Sequence, residues 1–223
     1  MLETPIIPSA DYSKVYEPAE DSYLLLDLFE QIRCELSSKR YAHSVPLVVE
    51  IGTGSGVVTA FLNKNILPKA LYLATDVNPH SCVIAARTNS HNATSYNMDV
   101  IRCDLTSPLL TEKVDILIFN PPYVPAEKVP EIPKDDKDPR WLDLALDGGP
   151  TGMDITQRVL DSLHTILALK GEAYILFCAR NQPDKVVEDF KKKSPGKWDV
   201  TMEIRRKAGW EMLSVYKFVR LCE

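Results

Sequence analysis

Short apolar runs alternate with amphipathic stretches along most of this 223-residue chain, and this alternation constrains the fold more than any other feature. A short apolar run bounded by turn residues indicates a buried strand, whereas apolar residues at helical spacing indicate a helix packed on one face. Repeated strand–helix alternation predicts a parallel sheet with helices on both of its faces. The predicted strands are 46–51, 70–76, 98–104, 113–120 and 172–179, and the predicted helices are 20–37, 58–66, 79–92, 151–170 and 183–193.

The last part of the chain departs from this alternation. Residues 197–220 predict two successive strands joined at the turn in RKAGW, and therefore a hairpin that adds an antiparallel strand to the sheet. Gly171 follows the helical pattern at 151–170 and is expected to cap that helix at its C-terminal end. The proline- and charge-rich segment 121–141 is long for a connection, and loops of this length are usually functional or mobile.

Composition and charge narrow the class of protein. The chain suits one domain over 1–223, with an N-terminal extension and helix at 1–44, and it has no apolar run of the roughly 18 residues that span a membrane. The five cysteines are scattered without a CxxC pair and no secretory signal precedes them, so we expect a cytosolic or nuclear protein without a metal site. The net charge of −5 weakens the case for a nucleic-acid ligand, because phosphate-binding surfaces are usually basic.

A glycine-rich loop follows the first predicted strand. In EIGTGSG, Glu50 ends the strand, and Gly52, Gly54 and Gly56 lead into the next helix. Ligands of open α/β sheets bind beyond the carboxyl ends of the strands, where glycines allow close backbone approach. The dinucleotide pattern would need glycine in place of Val57, and a phosphate-binding P-loop would need Gly-Lys-Ser/Thr, which is absent. Because a carboxylate repels pyrophosphate, Glu50 favours a cationic ligand without phosphate; a tight turn that binds nothing is the alternative.

Further acids end the next two predicted strands. Asp76 follows the glycine loop by about 20 residues in the sequence. At this spacing an acidic residue typically accepts a hydrogen bond from a ribose hydroxyl. Asn78 is able to cap the following helix, which leaves Asp76 free for a ligand. Asp104 is placed to hold an exocyclic purine amine while Leu105 covers the ring; for Asp104 alone, a capping or turn role is an equal alternative.

Together, the glycine loop and the acids describe a ligand that combines a nucleoside with an amino acid. In EIGTGSG, Asp76 and Asp104, the sequence resembles the class I S-adenosylmethionine-dependent methyltransferases. The resemblance implies S-adenosylmethionine as cofactor and a Rossmann-like α/β fold. Its sheet would have seven strands in the order 3-2-1-4-5-7-6, mostly parallel with the last strand antiparallel. The cofactor contacts that this resemblance implies are Glu50, Gly52, Gly54, Gly56, Asp76, Asp104 and Leu105.

The fourth predicted strand ends in IFNPPY, beside the first strand in that sheet order, so that Asn120 would lie over the cofactor's methyl group. The resemblance implies that Asn120 contacts the cofactor as well as the substrate. The Asn120 side-chain oxygen and the Pro121 carbonyl are able to accept both N–H bonds of a planar nitrogen, a poor nucleophile because its lone pair is delocalised. The stiff prolines Pro121 and Pro122 preorganise these acceptors, and Tyr123 is placed to stack on the planar group. The stretch resembles the motif of methyltransferases that act on adenine N6, cytosine N4 or a glutamine amide. A capping asparagine in a proline-rich loop is the alternative.

Three longer stretches resemble one branch of these enzymes. KVYEPAEDSYLLLD, NPPYVP and RKAGWEMLSVY are similar to the eukaryotic and archaeal branch of the HemK-like glutamine methyltransferases. This resemblance implies a translation release factor as substrate, a small zinc-binding activator subunit as partner in a heterodimer, and a cofactor contact at Ser22. For Ser22, the alternative is a capped start of the first helix. The third strand, within YNMDVIRCDL, would lie at a sheet edge, where partners pair.

The segment WLDLALDGGPTGMD at 141–154 is the predicted rim of the substrate site and overlaps the substrate-side loop at 121–150. Gly148 and Gly149, with Gly152, would allow a glycine-rich substrate loop to approach closely. Equally, these glycines could only shape the entry to the following helix. Both interpretations remain open at the level of the sequence.

Methylation of the Gly-Gly-Gln glutamine of the release factor is the leading hypothesis, because the resemblance to the HemK-like branch implies that substrate. The acidity of the chain and the expectation that the catalytic fold occupies nearly all of it also favour a protein substrate over a nucleic acid. The alternatives are N6-adenine methylation of DNA or RNA, protein lysine methylation, and a non-catalytic scaffold that binds the cofactor. A lysine ammonium must first lose a proton, and the motif offers no evident base. A scaffold would have no need of Asn120.

Overall fold

The computed structural model describes residues 1–93, 97–106 and 112–222, and in these ranges it shows the expected alternation of strands and helices. No helix within them is long and apolar enough to cross a membrane. The strands are β1 (Leu47–Ile51), β2 (Leu71–Asp76), β3 (Met98–Arg102), β4 (Val114–Phe119), β5 (Leu167–Cys178), β6 (Trp198–Ala208) and β7 (Glu211–Arg220). The α-helices are α1 (Glu20–Gln31), α2 (Val57–Asn65), α3 (Pro79–Asn92), α4 (Asp143–Leu146), α5 (Asp154–Ile166) and α6 (Pro183–Lys193).

The seven strands form one sheet in the order β3-β2-β1-β4-β5-β7-β6, which confirms the predicted order. Strands β1 to β5 pair in parallel with their neighbours, whereas β7 runs antiparallel to both β5 and β6. The β6–β7 turn is made at Gly209, whose φ of 57° is a conformation that glycine adopts without steric cost. Strand β3 lies at an edge, as expected; Tyr96, from the stretch that predicted this edge, lies outside the described residues.

Two apolar layers cover the two faces of the sheet. Helices α1 and α2 supply one layer, in which Leu24, Leu28 and Phe61 are buried. Helix α5 supplies the other, in which Leu163 is buried. The central strand β4 is buried along nearly its whole length, the pattern of a parallel strand covered on both sides. The sheet therefore provides a rigid platform for whatever lies at its carboxyl edge.

Two predicted helices end earlier than their sequence patterns suggested. The helix predicted at 151–170 ends at Ile166, and β5 begins at once, so the prediction that Gly171 caps a helix is wrong. Gly171 lies within β5, where a Cβ would come 2.6 Å from the carbonyl oxygen of Val114 in the neighbouring strand. The helix predicted at 20–37 ends as an α-helix at Gln31, and a π-helical segment follows at Glu35–Arg40.

Gly56 joins the glycine loop to α2 under a close packing constraint. Its φ is 74°, and a Cβ there would lie 2.7 Å from the Cα of Ala85 in α3. Gly196 has a similar φ of 76° but has nothing within 4 Å of an added Cβ. These two glycines share the backbone requirement and differ in the space around them.

We therefore expect Gly56→Ala to lower the free energy of unfolding more than Gly196→Ala does. Both variants place a side chain in the left-handed region at a cost of about 1–2 kcal/mol, and Gly56→Ala adds overpacking that typically costs about 1–3 kcal/mol. Urea unfolding of the two variants, each compared with the natural protein, measures the difference. Equal losses of stability would contradict a close α2–α3 contact at Gly56.

Candidate active site

A cavity of about 350 Å³ lies at the carboxyl edge of the sheet, where β1, β2 and β4 end. This volume is within the range of small-molecule sites in proteins. Most of the residues that the sequence singled out line it: Ser22, Glu50, Gly52, Gly54, Asp76, Asp104, Leu105, Asn120, Pro121 and Pro122. Five others do not line the cavity, namely Gly56, Tyr123, Gly148, Gly149 and Gly152.

Glu50 is a buried carboxylate near the end of β1. Its Oε2 accepts hydrogen bonds from the hydroxyl of Thr53, at 2.6 Å, and from the hydroxyl of Thr59. Burial raises the pKa of Glu50 to about 7, and the threonine hydroxyls oppose that shift by stabilising the charged form. A cationic group bound beside Glu50 would favour its ionised form.

Asp76, the last residue of β2, is joined to the glycine loop. The Gly54 N–H donates to its Oδ2 at 3.0 Å, and the Asn78 N–H donates to its Oδ1 at 2.8 Å. Asn78 caps α3 by accepting the His80 N–H at 2.9 Å, as the sequence predicted, so Asp76 is not needed as the cap. Burial raises the pKa of Asp76, and the backbone bonds counteract the shift. The Ser81 hydroxyl and the Val77 N–H also donate to this carboxylate, which lines the cavity.

Asp104 and Leu105 line the cavity just beyond the end of β3. The carboxylate of Asp104 accepts a hydrogen bond of 2.6 Å from Nη2 of Arg158 on α5. Arg158 also lines the cavity. No local pattern in the sequence predicts its contact with Asp104, because the two residues are 54 positions apart. Any ligand amine held by Asp104 would share that carboxylate with a guanidinium.

Asn120 follows β4 and orients its amide between α1 and the cavity. Its Nδ2 donates to Oδ2 of Asp21 at 3.0 Å. Its Oδ1 is buried and has no hydrogen-bond partner; only two other buried side-chain oxygens or nitrogens in the described ranges share that condition. Leaving a buried acceptor unpaired costs free energy, so such an atom in a native site needs an explanation. The sequence did not predict the contact with Asp21, although Asp21 lies in the KVYEPAEDSYLLLD stretch that carries part of the family resemblance.

Tyr123 lies beside this site but turns away from the cavity. Its hydroxyl donates to Oε2 of Glu211 at 3.2 Å, which connects the motif to the first residue of β7. Burial, followed by the charges of Asp21 and Glu211, raises the pKa of Tyr123. Stacking of Tyr123 on a substrate therefore stays a prediction that requires this side chain to rotate.

The glycines of the segment 141–154 pack against the motif's own backbone. Gly148 and Gly152 are buried, and a Cβ on either would collide with the carbonyl oxygen of Pro122 or of Tyr123, respectively. Gly149, also buried, has a φ of 83° and lies against the Asp154 carboxylate. This packing favours the interpretation that these glycines shape their own loop; contact with a substrate at Gly148 and Gly149 stays a prediction.

Asn181 connects the 141–154 segment to the NPPY motif, a role that no pattern in the sequence predicted. Its Nδ2 donates to the carbonyl oxygen of Tyr123 at 3.1 Å and to that of Thr151 at 3.2 Å. Its Oδ1 accepts the Cys178 N–H at 3.0 Å. One buried amide thus fixes the segment after the motif to the end of β5.

The loop at 121–150 covers one side of the cavity through Val129–Ile132 and through Trp141. The Trp141 indole is buried and donates its N–H to the carbonyl oxygen of Asp135 at 3.0 Å. Its ring lies 6.0 Å from the His80 ring and 5.7 Å from the Arg102 guanidinium. Trp141 therefore fastens the loop to the neighbouring strands and helix. Among the described residues, no group of three or more histidine, cysteine, aspartate or glutamate side chains is arranged to hold a metal ion.

The raised pKa of Glu50 predicts a pH-dependent stability. The folded pKa of about 7 exceeds the ordinary value of 4.5, so the folded chain binds the proton more tightly, and the free energy of unfolding falls as pH rises between these values. Glu50→Gln removes the cost of ionising the buried carboxyl, so at pH 8 this variant should be more stable than the natural protein by on the order of 3 kcal/mol. This advantage should disappear as the pH falls toward the unfolded pKa. Urea unfolding between pH 5 and pH 8 measures the difference in the free energy of unfolding between the two proteins.

Glu188→Gln is the matched control for that titration, because the pKa of the exposed Glu188 is lowered by its hydrogen bond with Lys192. Glu188→Gln should therefore show no gain at high pH. A gap between Glu50→Gln and the natural protein that stays constant across the range would contradict the assignment to Glu50.

Comparison with known proteins identifies the family to which this chain belongs. Residues 31–132 match the family model described as the methyltransferase small domain. The chain is 37% identical to the human methyltransferase HEMK2 over 212 residues, covering 94% of this chain and 91% of the relative. It is 34% identical to the eRF1 methyltransferase catalytic subunit mtq2 of Schizosaccharomyces pombe, covering 99% of this chain and 97% of the relative.

A solved structure, that of the Mtq2–Trm112 complex of E. cuniculi, which methylates the eRF1 translation termination factor, superposes with a TM-score of 0.63. It is 26% identical in sequence and covers 93% of this chain and 99% of that one. The sheet order and the cavity at the carboxyl edge of the sheet agree with the fold predicted for a methyltransferase. Because sequence identity of 34–37% extends over nearly the whole chain, the chain belongs to the HEMK2 and Mtq2 family of methyltransferases.

Proposed function

We propose that this protein transfers the methyl group of S-adenosylmethionine to the side-chain amide nitrogen of the glutamine in the Gly-Gly-Gln motif of the eukaryotic-type translation release factor. The observation that carries the proposal is the buried, unpaired Oδ1 of Asn120 at the cavity. An amide NH₂ is the group that such an acceptor lacks.

The residues around the cavity fit the cofactor. Asp76 offers oxygens to the ribose hydroxyls, and Glu50 offers a negative charge to the amino group of the methionine part. Asp104 and Leu105 also line the cavity and would hold the adenine amine and ring, and Ser22 lines it from α1. When bound, S-adenosylmethionine supplies an electrophilic methyl group on a sulfonium.

The chain's own contribution to the reaction is acceptance and alignment. An amide nitrogen is planar and weakly nucleophilic because its lone pair is delocalised into the carbonyl. Hydrogen bonds from its two N–H groups to Asn120 Oδ1 and the Pro121 carbonyl favour the pyramidal nitrogen of the transition state more than the planar ground state. They also hold the nitrogen in line with the methyl group, and alignment of this kind removes a large entropic part of a barrier. No base is required before transfer, since the proton is able to leave the methylated nitrogen afterwards.

The acceptors are preorganised. Pro121 is buried, Pro122 packs against Gly148, and Asn181 fixes the Tyr123 carbonyl. The acceptor oxygen is itself covered in this conformation, so a substrate amide has to move neighbouring chain to reach it. The loop segment Val129–Ile132 borders the same cavity.

A protein substrate and a partner subunit agree with the relatives. The fission yeast relative is an eRF1 methyltransferase catalytic subunit, and the E. cuniculi structure is a complex with Trm112. We propose that this chain likewise acts as the catalytic subunit of a heterodimer with a small activator. Among the described residues, β3 is the edge strand beside β2, and a partner's strand could add to its other side. The net charge of −5 disfavours nucleic acid as the substrate.

Labelled S-adenosylmethionine supplied to the heterodimer should mark the release factor and leave its Gly-Gly-Gln variant with Gln→Ala unmarked, since only the amide nitrogen satisfies both acceptors. Histone and DNA, offered in parallel, test lysine and adenine as acceptors. Equal labelling of the release factor and its variant would refute glutamine as the target. Binding of the cofactor without labelling of any acceptor would instead point to a scaffold.

Asn120→Ala should abolish transfer while leaving the affinity for S-adenosylhomocysteine nearly unchanged, because Asn120 faces the acceptor and not the cofactor's anchoring groups. Loss of one preorganised electrostatic contact typically costs about 100-fold or more in kcat. Single-turnover assays and calorimetry measure the two quantities. Asn65→Ala is the matched control, because it removes a half-buried amide that donates to the Glu3 carbonyl and does not line the cavity. Loss of ligand binding in Asn120→Ala would contradict this division of roles.

A further inference from the structure

Asp21 has a buried carboxylate at the first turn of α1, with all of its observed partners acting as donors. Its Oδ1 accepts the Ser22 N–H at 2.6 Å, and its Oδ2 accepts Nδ2 of Asn120 at 3.0 Å. The Tyr16 hydroxyl is hydrogen-bonded to the same carboxylate, and this bond adds to the burial that raises the pKa of Tyr16. The side chain of Asp21 is oriented by neighbours on its own helix and on the segment that precedes it.

The partner of an asparagine amide decides which way the amide faces. The two ends of that amide have nearly the same shape, so rotation by half a turn exchanges a donor for an acceptor at the same place. A carboxylate only accepts hydrogen bonds, so Asp21 selects Nδ2 of Asn120 and turns Oδ1 to the other side. Oδ1 is the atom left without a partner.

We propose that Asp21 is a positioning residue that locks the Asn120 amide with its acceptor oxygen toward the methyl-accepting nitrogen. This inference rests on the proposed role of Asn120 and extends it. Without the lock, Asn120 is free to present its NH₂ group to the substrate, and two NH₂ groups facing each other cannot form a hydrogen bond. Asp21 itself lines the cavity, and in this proposal it acts on the reaction through Asn120.

Exchange of the two side chains tests the lock. In Asp21→Asn, the new amide oxygen still accepts the Ser22 N–H, so its NH₂ group faces Asn120. The Asn120 amide then rotates to place its oxygen toward residue 21 and its NH₂ group toward the substrate. The kcat should fall about 100-fold, with the KM for the release factor and the affinity for S-adenosylhomocysteine little changed. In Asn120→Asp alone, two carboxylates face each other and repel, and kcat should also fall.

In the double variant Asp21→Asn with Asn120→Asp, the donor and the acceptor have changed places, and one carboxylate oxygen at position 120 again faces the substrate. Its kcat should exceed that of either single variant by at least about tenfold, an interaction that independent sites do not show. Asp27 lies on the same helix as Asp21, and its partly exposed carboxylate pairs with Arg206 of β6. Asp27→Asn is therefore the matched control and should retain the natural kcat.

Thermal unfolding and S-adenosylhomocysteine binding identify any variant that has lost its fold. A folded Asp21→Asn with natural kcat overturns the proposal, as does a folded double variant that is no faster than the single ones. Should a single variant prove unstable, the double variant still decides, because turnover at the level of Asn120→Ala would overturn the lock. Failure of the proposed function looks different: the natural heterodimer would not label the release factor, or Asn120→Ala would remain active.

Discussion

Parallel pairing of β1 with β2 on one side and with β4 on the other is the constraint on which the site depends. Glu50 stands in register with Ala74 and with Ile118, so Asp76 and Asn120 each lie two residues further along the flanking strands. Main-chain hydrogen bonds thereby fix the relative height of three functional side chains before any loop is considered. A slip of one residue in either pairing would turn a functional side chain to the opposite face.

Side-chain amides and glycines add the precision that the strands alone do not supply. Asn181 fixes the carbonyl of Tyr123 from the end of β5, and Gly148 and Gly152 allow the 141–154 segment to touch the motif's backbone. An acceptor held in this way loses little conformational entropy when a substrate arrives, which favours alignment. Asn120 is therefore held from two directions, by the rigid loop that follows it and by the carboxylate of α1.

Local patterns predicted most of the strands and most of the cavity lining, whereas the sheet order followed from the resemblance to a known family. Apolar runs, glycine spacing and a capping Asn78 are all visible within a few residues. The prediction failed at LALKG, where an apolar run continues the helical period of α5 but pairs with β4 as a strand, because strand pairing with Val114 outweighed local propensity.

Contacts between distant parts of the chain leave no comparable local signal. Asp21 and Asn120 are 99 positions apart, and Asn181 and Tyr123 are 58 apart. Nothing in the spacing of residues announces that such pairs meet, so the sequence could name Asn120 but not what orients it. The same holds for Arg158 beside Asp104 and for the turn of Tyr123 toward Glu211.

The place of β7 in the sheet has a consequence for how the protein is made. Because β7 lies between β5 and β6, strand β6 cannot join the sheet until the last strand of the chain has entered. Glu211 of β7 also holds the Tyr123 hydroxyl, while Asp21 reaches Asn120 from the other end of the chain. Domains fold as synthesis proceeds from the N-terminus. Until β7 has left the ribosome, the nascent chain therefore holds β1, β2 and β4, whose ends border the cavity, in a sheet that lacks both β7 and β6.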